Sequence, residues 1–300
     1  MLPTLRQLQY LKLLAEHGSF SRAAEAANVT QPTLSAGVQE LEKILGAPVV
    51  DRARSGVILT PVGEEAVARA QDVLARAEDL VQAARSAGRP LSGRFRLGVI
   101  PTIAPYMLPK VLPALRDRFP DLRLFLREDL TSKLVAMLKT GALDAALIAL
   151  PYDLHGIETA EVGYDELLAA APANHPLTAG RSVAPEALAE AELILLEDGH
   201  CLRDQALSAC GAEGARPGAG PYEEGGFAAT SLATLVQMVG SGLGVSLLPA
   251  MAVEAGLTAN TPVAVRPLTG GARREVAVAW RAGSSRGAEA RLLAETLRTL

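Results

Sequence analysis

The chain is poor in cysteine and has no long apolar run, and these shortages exclude several classes of protein. Two cysteines in 300 residues are too few for the disulfide framework of a secreted domain. No apolar stretch reaches the roughly 18 residues of a transmembrane helix, and the N-terminus lacks the apolar core and cleavage site of a secretory signal. We therefore expect a cytoplasmic protein that does not contact a membrane and whose thiols are normally reduced.

Strong charge is also absent, and histidine is scarce. The net charge of −4 argues against a protein that coats a polyanion, although one part of the chain can still bind DNA. A zinc site built on the two cysteines would need two further ligands, and the four histidines are scattered along the chain. We therefore expect no metal and no cofactor. With 49% hydrophobic residues, the chain can bury a sizeable core in two or three folding units.

The first cysteine, Cys201, lies in a short polar segment beside two basic side chains, His200 and Arg203. Asp198 or Gly199 can cap a helix that starts near Cys201. A thiol in the first turn of a helix, next to basic groups, is favoured as the thiolate. We therefore expect a lowered pKa for Cys201, although the acidic side chains nearby oppose that effect.

Cys210 is the only other thiol and can condense with a sulfenic acid formed on Cys201. If one helix spans both cysteines, their Cα atoms lie about 13.5 Å apart, at roughly 1.5 Å per residue. A disulfide needs roughly 4.4–6.8 Å, so oxidation would require this helix to unfold. The Gly-rich stretch 211–226 could absorb that change. The alternative is that both cysteines are buried, inert hydrophobic residues.

The first 60 residues have the pattern of a winged helix-turn-helix. A helix over 5–15, a short Ala-rich helix over 21–27 and a third helix from Thr30 to Gly46 are followed by a hairpin over 49–59. Polar side chains at the start and outer face of the third helix would face the major groove, and two arginines would meet phosphates. The predicted DNA contacts are Thr30, Gln31, Pro32, Thr33, Ser35, Gln39, Arg52 and Arg54. The alternative is an ordinary helical subdomain with a solvated face.

Residues 61–88 predict one long helix that begins at Pro61. Its small and apolar residues recur with alternating spacings of three and four, which is typical of a dimerising heptad repeat. This predicted seam consists of Val67, Ala70, Leu74, Ala77, Val81 and Ala84. The seam favours a homodimer, which also suits two half-sites on DNA. The alternative is that the helix packs on its own domain.

After a hinge at 89–93, strands and helices alternate, which predicts an α/β domain with a mostly parallel sheet. The predicted strands cover 95–100, 122–126, 143–150, 167–171, 193–196, 245–248 and 275–280; the predicted helices cover 108–119, 132–140, 231–240 and 288–300. Ligands bind beyond the carboxyl ends of strands in such sheets. Thr102 and Thr131 follow the first two strands and are candidate pocket residues, or they cap the helices that follow.

Two sets of residues resemble a known family. The runs FSRAA at 20–24 and QPTLS at 31–35 are similar to the helix-turn-helix of LysR-type transcriptional regulators. The run LEDGHCLRDQA at 196–206, together with Cys210, resembles the peroxide-sensing members of that family. The chain departs from the family's pattern in two places. The segment after Cys210 is longer and Gly-rich, and the run at 49–52 is VVDR where the family more often has Leu-Phe-Glu-Arg.

The resemblance implies a domain plan. Residues 1–60 would form the DNA-binding domain, 61–88 the linker and dimerisation helix, and 94–300 a Rossmann-like regulatory domain of the periplasmic-binding-protein kind. That domain would consist of subdomain I, at about 94–163 and 269–300, and subdomain II, at about 164–268.

The resemblance also implies roles. Cys201 would be the peroxidatic cysteine and Cys210 the resolving one. Thr102, Thr131, His200 and Arg274 match positions that shape the peroxide pocket or steady the thiolate, and Asp204 matches one that assists proton transfer. The expected partners are double-stranded DNA, RNA polymerase, hydrogen peroxide and a cellular thiol reductant, and the expected assembly is a homotetramer.

The resulting prediction is a regulator, not an enzyme, that activates antioxidant genes when peroxide joins Cys201 to Cys210. One alternative is a LysR-type regulator that senses a small organic anion and has inert cysteines. A thiol peroxidase is a second alternative, which the helix-turn-helix disfavours. A third, a solute-binding protein of transport, fits the α/β region but not the first 90 residues.

Overall fold

The computed structural model describes residues 2–51, 57–85, 90–211 and 229–300. The chain divides into two compact units. One contains the residues up to 87 together with 139–142, and the other contains the remaining residues.

The N-terminal unit consists of helices and one small hairpin. Its elements are α1 (Leu5–His17), α2 (Phe20–Ala26), α3 (Gln31–Leu45), β1 (Val50–Asp51), β2 (Ile58–Leu59) and α4 (Pro61–Arg85). The three predicted short helices and the hairpin are therefore confirmed. The side chain of Thr4 caps α1 by accepting a hydrogen bond from the Gln7 amide, and Gly18 ends it in the left-handed conformation. Leu11, Leu14 and similar side chains form the core between the helices.

Helix α4 packs closely against the hairpin at its start. A Cβ atom at Gly63 would lie 2.0 Å from the Val49 carbonyl oxygen, so only glycine permits this approach. Val67 and Leu74 pack against the core of the N-terminal unit, and Ala70 is buried there. The N-terminal half of the predicted heptad seam, Val67 to Leu74, therefore packs on its own domain, as the alternative interpretation predicts.

The second unit is an α/β domain, as the sequence predicts. Its strands are β3 (Gly93–Val99), β4 (Leu122–Glu128), β5 (Ala145–Leu150), β6 (Ile157–Pro172), β7 (Ser246–Pro249), β8 (Val263–Pro267) and β9 (Arg273–Arg281). Its helices are α5 (Ala104–Arg118), α6 (Thr131–Lys139), α7 (Pro185–Ala189), α8 (Cys201–Ala209), α9 (Leu232–Gly240), α10 (Ala250–Glu254) and α11 (Gly287–Arg298).

The prediction of a mostly parallel sheet was wrong. In the described part of the chain the strand order is β4-β3-β5-β9-β6-β7, with β8 paired to β6. Only β3 pairs in parallel, with β4 and β5, whereas the other pairings are antiparallel. The difference arises from β9, which runs antiparallel to both β5 and β6, and from β6, which is far longer than the apolar run at 167–171 indicates.

Strand β6 connects two parts of the regulatory unit. Residues 157–166 pair with β9, and residues 167–172 pair with β7 and β8. The change of partners falls at Glu166 and Leu167. The predicted strand at 193–196 was wrong: this segment makes isolated bridges through Leu193 and Leu196 instead.

Candidate functional site

Cys201 lies at the first residue of α8, at the edge of a small cavity. The space between its walls is about 160 Å³ including the part open to solvent, and it has no room for a water-sized molecule. Its walls come from the segments that follow β3 and β4 and from the turn before α8. The lining residues are Ile100, Pro101, Thr102, Leu130, Thr131, Gly199, His200 and Cys201. The structure therefore brings Thr102 and Thr131 together with the cysteine, although they are distant in the sequence.

The turn before α8 places the sulfur in this cavity. Gly199 has a φ of 96°, a conformation that favours glycine, and a Cβ there would lie 3.1 Å from Leu130. The N-cap of α8 is His200, and its side chain makes no capping hydrogen bond. The expectation that Asp198 or Gly199 caps this helix was wrong.

Burial dominates the chemistry of Cys201. The residue is 4% exposed, and desolvation raises the pKa of its thiol because the thiolate loses its hydration. The Thr131 hydroxyl, the Arg274 charge and the Leu202 amide lower that pKa, and Asp204 raises it. The net direction is upward, so the expectation of a lowered pKa was wrong. The helix terminus and basic neighbours do not compensate for the lost hydration.

Thr131 and Thr102 present hydroxyl groups to the cavity. Both residues are buried. By strict geometry the Thr131 hydroxyl has no hydrogen-bond partner among the described residues, yet it lies close enough to Cys201 to lower the pKa of that thiol, so its hydrogen can be donated to the sulfur. The Thr102 hydroxyl accepts a hydrogen bond from Arg274 and keeps its own hydrogen available to donate.

Arg274 is the cation that acts on Cys201. Its guanidinium is buried and donates to the Thr102 hydroxyl at 2.8 Å and to the Thr102 carbonyl oxygen at 3.0 Å. It also forms an ion pair with Asp165 at 2.9 Å. Strand β9 supplies Arg274 and β6 supplies Asp165, in direct register. The antiparallel pairing that the sequence did not predict is therefore what builds this part of the site.

His200 and Arg203 contribute less charge to the sulfur than the sequence suggests. Burial lowers the pKa of His200, with a smaller opposing effect from Glu197, so the imidazole is neutral near pH 7. Arg203 donates to the Leu196 carbonyl oxygen at 2.9 Å and pairs with Asp198 at 2.8 Å. Its charge is thereby directed toward the segment that precedes α8.

Cys210 is the C-terminal capping residue of α8 and is also a buried, free thiol. It packs among Leu188, Leu195 and Leu247, whereas Cys201 packs in the core around β3 and β5. Desolvation raises the pKa of Cys210 as well. The two thiols therefore lie at opposite ends of a continuous helix and in different hydrophobic clusters.

Sequence reasoning missed two buried polar residues near this site, Asp165 and Gln205. Both amide atoms of Gln205 are buried without a hydrogen-bond partner among the described residues. Asp165 could have been found from the strand period, because Asp165, Leu167 and Ala169 alternate toward the inside of β6. Nothing in the sequence pattern identifies Gln205 in advance.

The predicted DNA-contacting residues occupy the start and outer face of α3. Thr30 caps this helix and hydrogen-bonds Thr33, with its hydroxyl 2.8 Å from that of Thr33. Ser35 is half-buried. The exposed members of the set are Thr30, Gln31, Pro32, Thr33 and Gln39. Arg52 and Arg54 lie outside the described residues.

Two structural features are absent from the described residues. These residues contain no group of three or more His, Cys, Asp or Glu side chains that could hold a metal ion. No helix in the same ranges is long and apolar enough to cross a membrane.

Comparison with known proteins identifies both units. Residues 5–64 match the bacterial regulatory helix-turn-helix protein model of the lysR family, and residues 88–300 match the LysR substrate binding domain. The chain belongs to the LysR family of transcriptional regulators. The predicted N-terminal helix-turn-helix and α/β regulatory domain are thereby confirmed.

Within that family the chain is similar to OxyR. The solved structure of a full-length OxyR variant from Pseudomonas aeruginosa is 39% identical, with a TM-score of 0.76, and the match covers 99% of this chain and 98% of that one. A probable hydrogen peroxide-inducible genes activator from Streptomyces viridosporus is 40% identical, over 99% of this chain and 94% of the relative. The transcriptional regulator EstR from Acinetobacter baylyi is 42% identical, over 84% of this chain and 82% of the relative.

Proposed function

We propose that the protein is a transcriptional activator of the OxyR kind, switched by hydrogen peroxide through Cys201 and Cys210. The observation that carries this proposal is the cavity in which Cys201 meets the Thr131 hydroxyl and the field of Arg274. These groups favour the negatively charged sulfur that attacks peroxide. The similarity to OxyR supports the same function.

The chemistry consists of two balanced steps. The Cys201 thiolate attacks one peroxide oxygen, the O–O bond breaks, and the departing hydroxide takes up a proton and leaves as water. The product is a sulfenic acid. The Cys210 thiol then loses its proton and attacks the Cys201 sulfur, the S–O bond breaks, and the departing hydroxide takes up that proton and leaves as a second water with the disulfide formed. Thr102 and Thr131 would orient the peroxide, and Asp204 would assist the proton transfer to the leaving group.

The second step forces a structural change. Helix α8 separates the two sulfurs, so it must unfold before a disulfide of ordinary geometry can form. Each cysteine also leaves its own hydrophobic cluster. This rearrangement would alter subunit packing in a homotetramer, reposition α3 on two half-sites of DNA and change contact with RNA polymerase. A cellular thiol reductant would reset the switch.

Thiol counting and intact mass after stoichiometric peroxide test the proposal. In the wild-type protein we expect the rapid loss of two thiols and of about two mass units. Cys210→Ser should accumulate a sulfenic acid that a dimedone-type reagent traps, and Cys201→Ser should keep its thiol. If both thiols of the wild type stay free in modest peroxide excess, the proposal is wrong.

A second candidate function is a LysR-type regulator that senses a small organic anion. Two observations favour it: the raised pKa of Cys201 and the similarity to EstR, whose name does not mention peroxide. Reporter transcription separates the two. The peroxide switch predicts that Cys201→Ser abolishes the response to added peroxide, whereas the anion sensor predicts that Cys201→Ser and wild type behave alike.

A further inference from the structure

A buried carboxylate lies behind the cation of the redox site, and the proposed function does not use it. Resting on that function, we propose that Asp165 is a positioning residue that holds Arg274 at the site and offsets its charge. Asp165 thereby limits how far Arg274 favours the Cys201 thiolate. The protein would in this way keep its sensor thiol mostly protonated, so that only a raised peroxide concentration oxidises it at an appreciable rate.

The contacts of Arg274 leave no guanidinium nitrogen unpaired. Its Nε donates to Asp165 Oδ2 at 3.0 Å, and Nη2 lies 2.9 Å from the same oxygen. Nη1 and Nη2 also donate to Thr102. The Arg274 side chain is 0% exposed and that of Asp165 is 3% exposed. Solvent therefore screens this ion pair poorly, and each charge acts over a longer range than at the surface.

Asp165 is itself held in place from a second element. Its other oxygen, Oδ1, accepts a hydrogen bond from the Met251 amide at 3.0 Å, in the first turn of α10. Both carboxylate oxygens are thus committed, and the side chain cannot turn away from Arg274 without leaving a buried donor unpaired. The carboxylate is a fixed part of the site and a fixed counter-charge.

Asp165 influences the pKa of the Cys201 thiol through Arg274. Arg274 lowers the pKa of the thiol, while burial raises it by more. A carboxylate paired with the guanidinium offsets the charge of the arginine, so that removing it should leave a stronger positive field at the sulfur. The other ionisable groups that face this region from neighbouring elements are His200 and Asp204 of the α8 segment, Tyr106 of α5 and Glu128 of β4.

The test measures the ionisation of Cys201 by its rate of alkylation with iodoacetamide against pH, in the full chain carrying Cys210→Ser. Asp165→Asn should move the midpoint to lower pH and speed alkylation at pH 7 by roughly tenfold, the effect of one pKa unit. The plateau rate at high pH should not rise, because the thiolate itself is no more accessible. Glu166→Gln, at the exposed neighbouring carboxylate, should leave the midpoint unchanged.

A purely structural role for Asp165 gives a different result. Loosening of the site would expose the sulfur and raise the plateau rate together with any shift of the midpoint. An unchanged midpoint, or one that moves only with a higher plateau, overturns the proposal.

A second pair of variants covers the case in which Asp165→Asn does not fold. Arg274→Gln should raise the midpoint because it removes the cation that lowers the thiol pKa and leaves the buried Asp165 carboxylate without its counter-charge, and Arg274→Gln with Asp165→Asn should bring it back down. The double variant buries no lone charge and is therefore expected to fold. Equal midpoints in these two proteins overturn the proposal. The alkylation test needs no peroxide, so its failure is distinct from a failure of the proposed function, which peroxide-driven thiol loss tests.

Discussion

Cys201 is buried where α8 meets the hydrophobic core, and that burial raises the pKa of its thiol and keeps it protonated. The same holds for Cys210 in its own cluster. At the scale of single residues, the free energy of unfolding therefore depends on whether these two thiols are ionised. An unfolded thiol ionises near pH ~8.5, and both folded thiols ionise at higher pH.

This difference predicts a loss of stability in alkaline solution. Well below about pH 8.5 both states keep their thiol protons. As the pH rises from there through the folded pKa values, the unfolded state releases protons first, so the free energy of unfolding falls. Urea unfolding between about pH 7.5 and about 9.5, below the range of tyrosine, should show this decline in wild type and a flatter one in Cys201→Ser with Cys210→Ser. The same slope in both proteins would contradict the prediction.

Residues of the site differ in how readily the sequence reveals them. The cysteines, Thr102 and Thr131 could be predicted because each lies in a short local pattern, a polar segment or the end of a strand. Arg274 was identified only by resemblance to a family. The inward position of Asp165 follows the strand period, but its pairing with Arg274 does not show in the sequence, because the two are 109 residues apart and only the pairing of β6 with β9 brings them together.

At the scale of elements, α8 is the part that the proposed switch must unfold. The sequence predicts its start at Cys201 correctly, since the polar turn and the helical pattern are local. The direction of the sheet strands is not local, and there the prediction was wrong. Alternation of strands and helices does not reveal that β6 runs on for 16 residues and pairs antiparallel with three other strands.

If α8 must unfold before Cys201 and Cys210 can join, a substitution that destabilises this helix should speed formation of the disulfide. Ser208 is exposed in the last turn of α8, where Ala and Gly differ in helix propensity by about 1 kcal/mol. Ser208→Gly should therefore form the disulfide from the sulfenic acid up to roughly fivefold faster than Ser208→Ala, measured by quenched-flow trapping. The matched pair Glu295→Gly and Glu295→Ala, on an exposed position of α11, should give equal rates. Equal rates at Ser208 would mean that α8 does not unfold before the disulfide forms.

At the scale of the whole molecule, the described structure leaves apolar side chains of α4 in solvent. Leu80 is 73% exposed, and Val73 and Val81 are 45% and 47% exposed. The core of the N-terminal unit takes up Val67, Ala70 and Leu74 of the predicted seam instead, and of the three exposed residues only Val81 belongs to that seam. Large apolar side chains grouped on one exposed helix are typical of a protein–protein contact, which agrees with the predicted homodimer.

Leu80→Glu is the variant that tests this assembly. A second copy of α4 that covered Leu80 would bury the new carboxylate without a partner, at a cost of several kcal/mol, and the dimer should dissociate. Sedimentation velocity should then show a smaller species, and affinity for DNA with two half-sites should fall toward that for a single half-site. Asp72→Lys, a charge change at an exposed position of the same helix, should leave both measurements unchanged. If Leu80→Glu sediments like the wild type, this face of α4 does not form the dimer, and the two half-sites must be bridged by the regulatory unit.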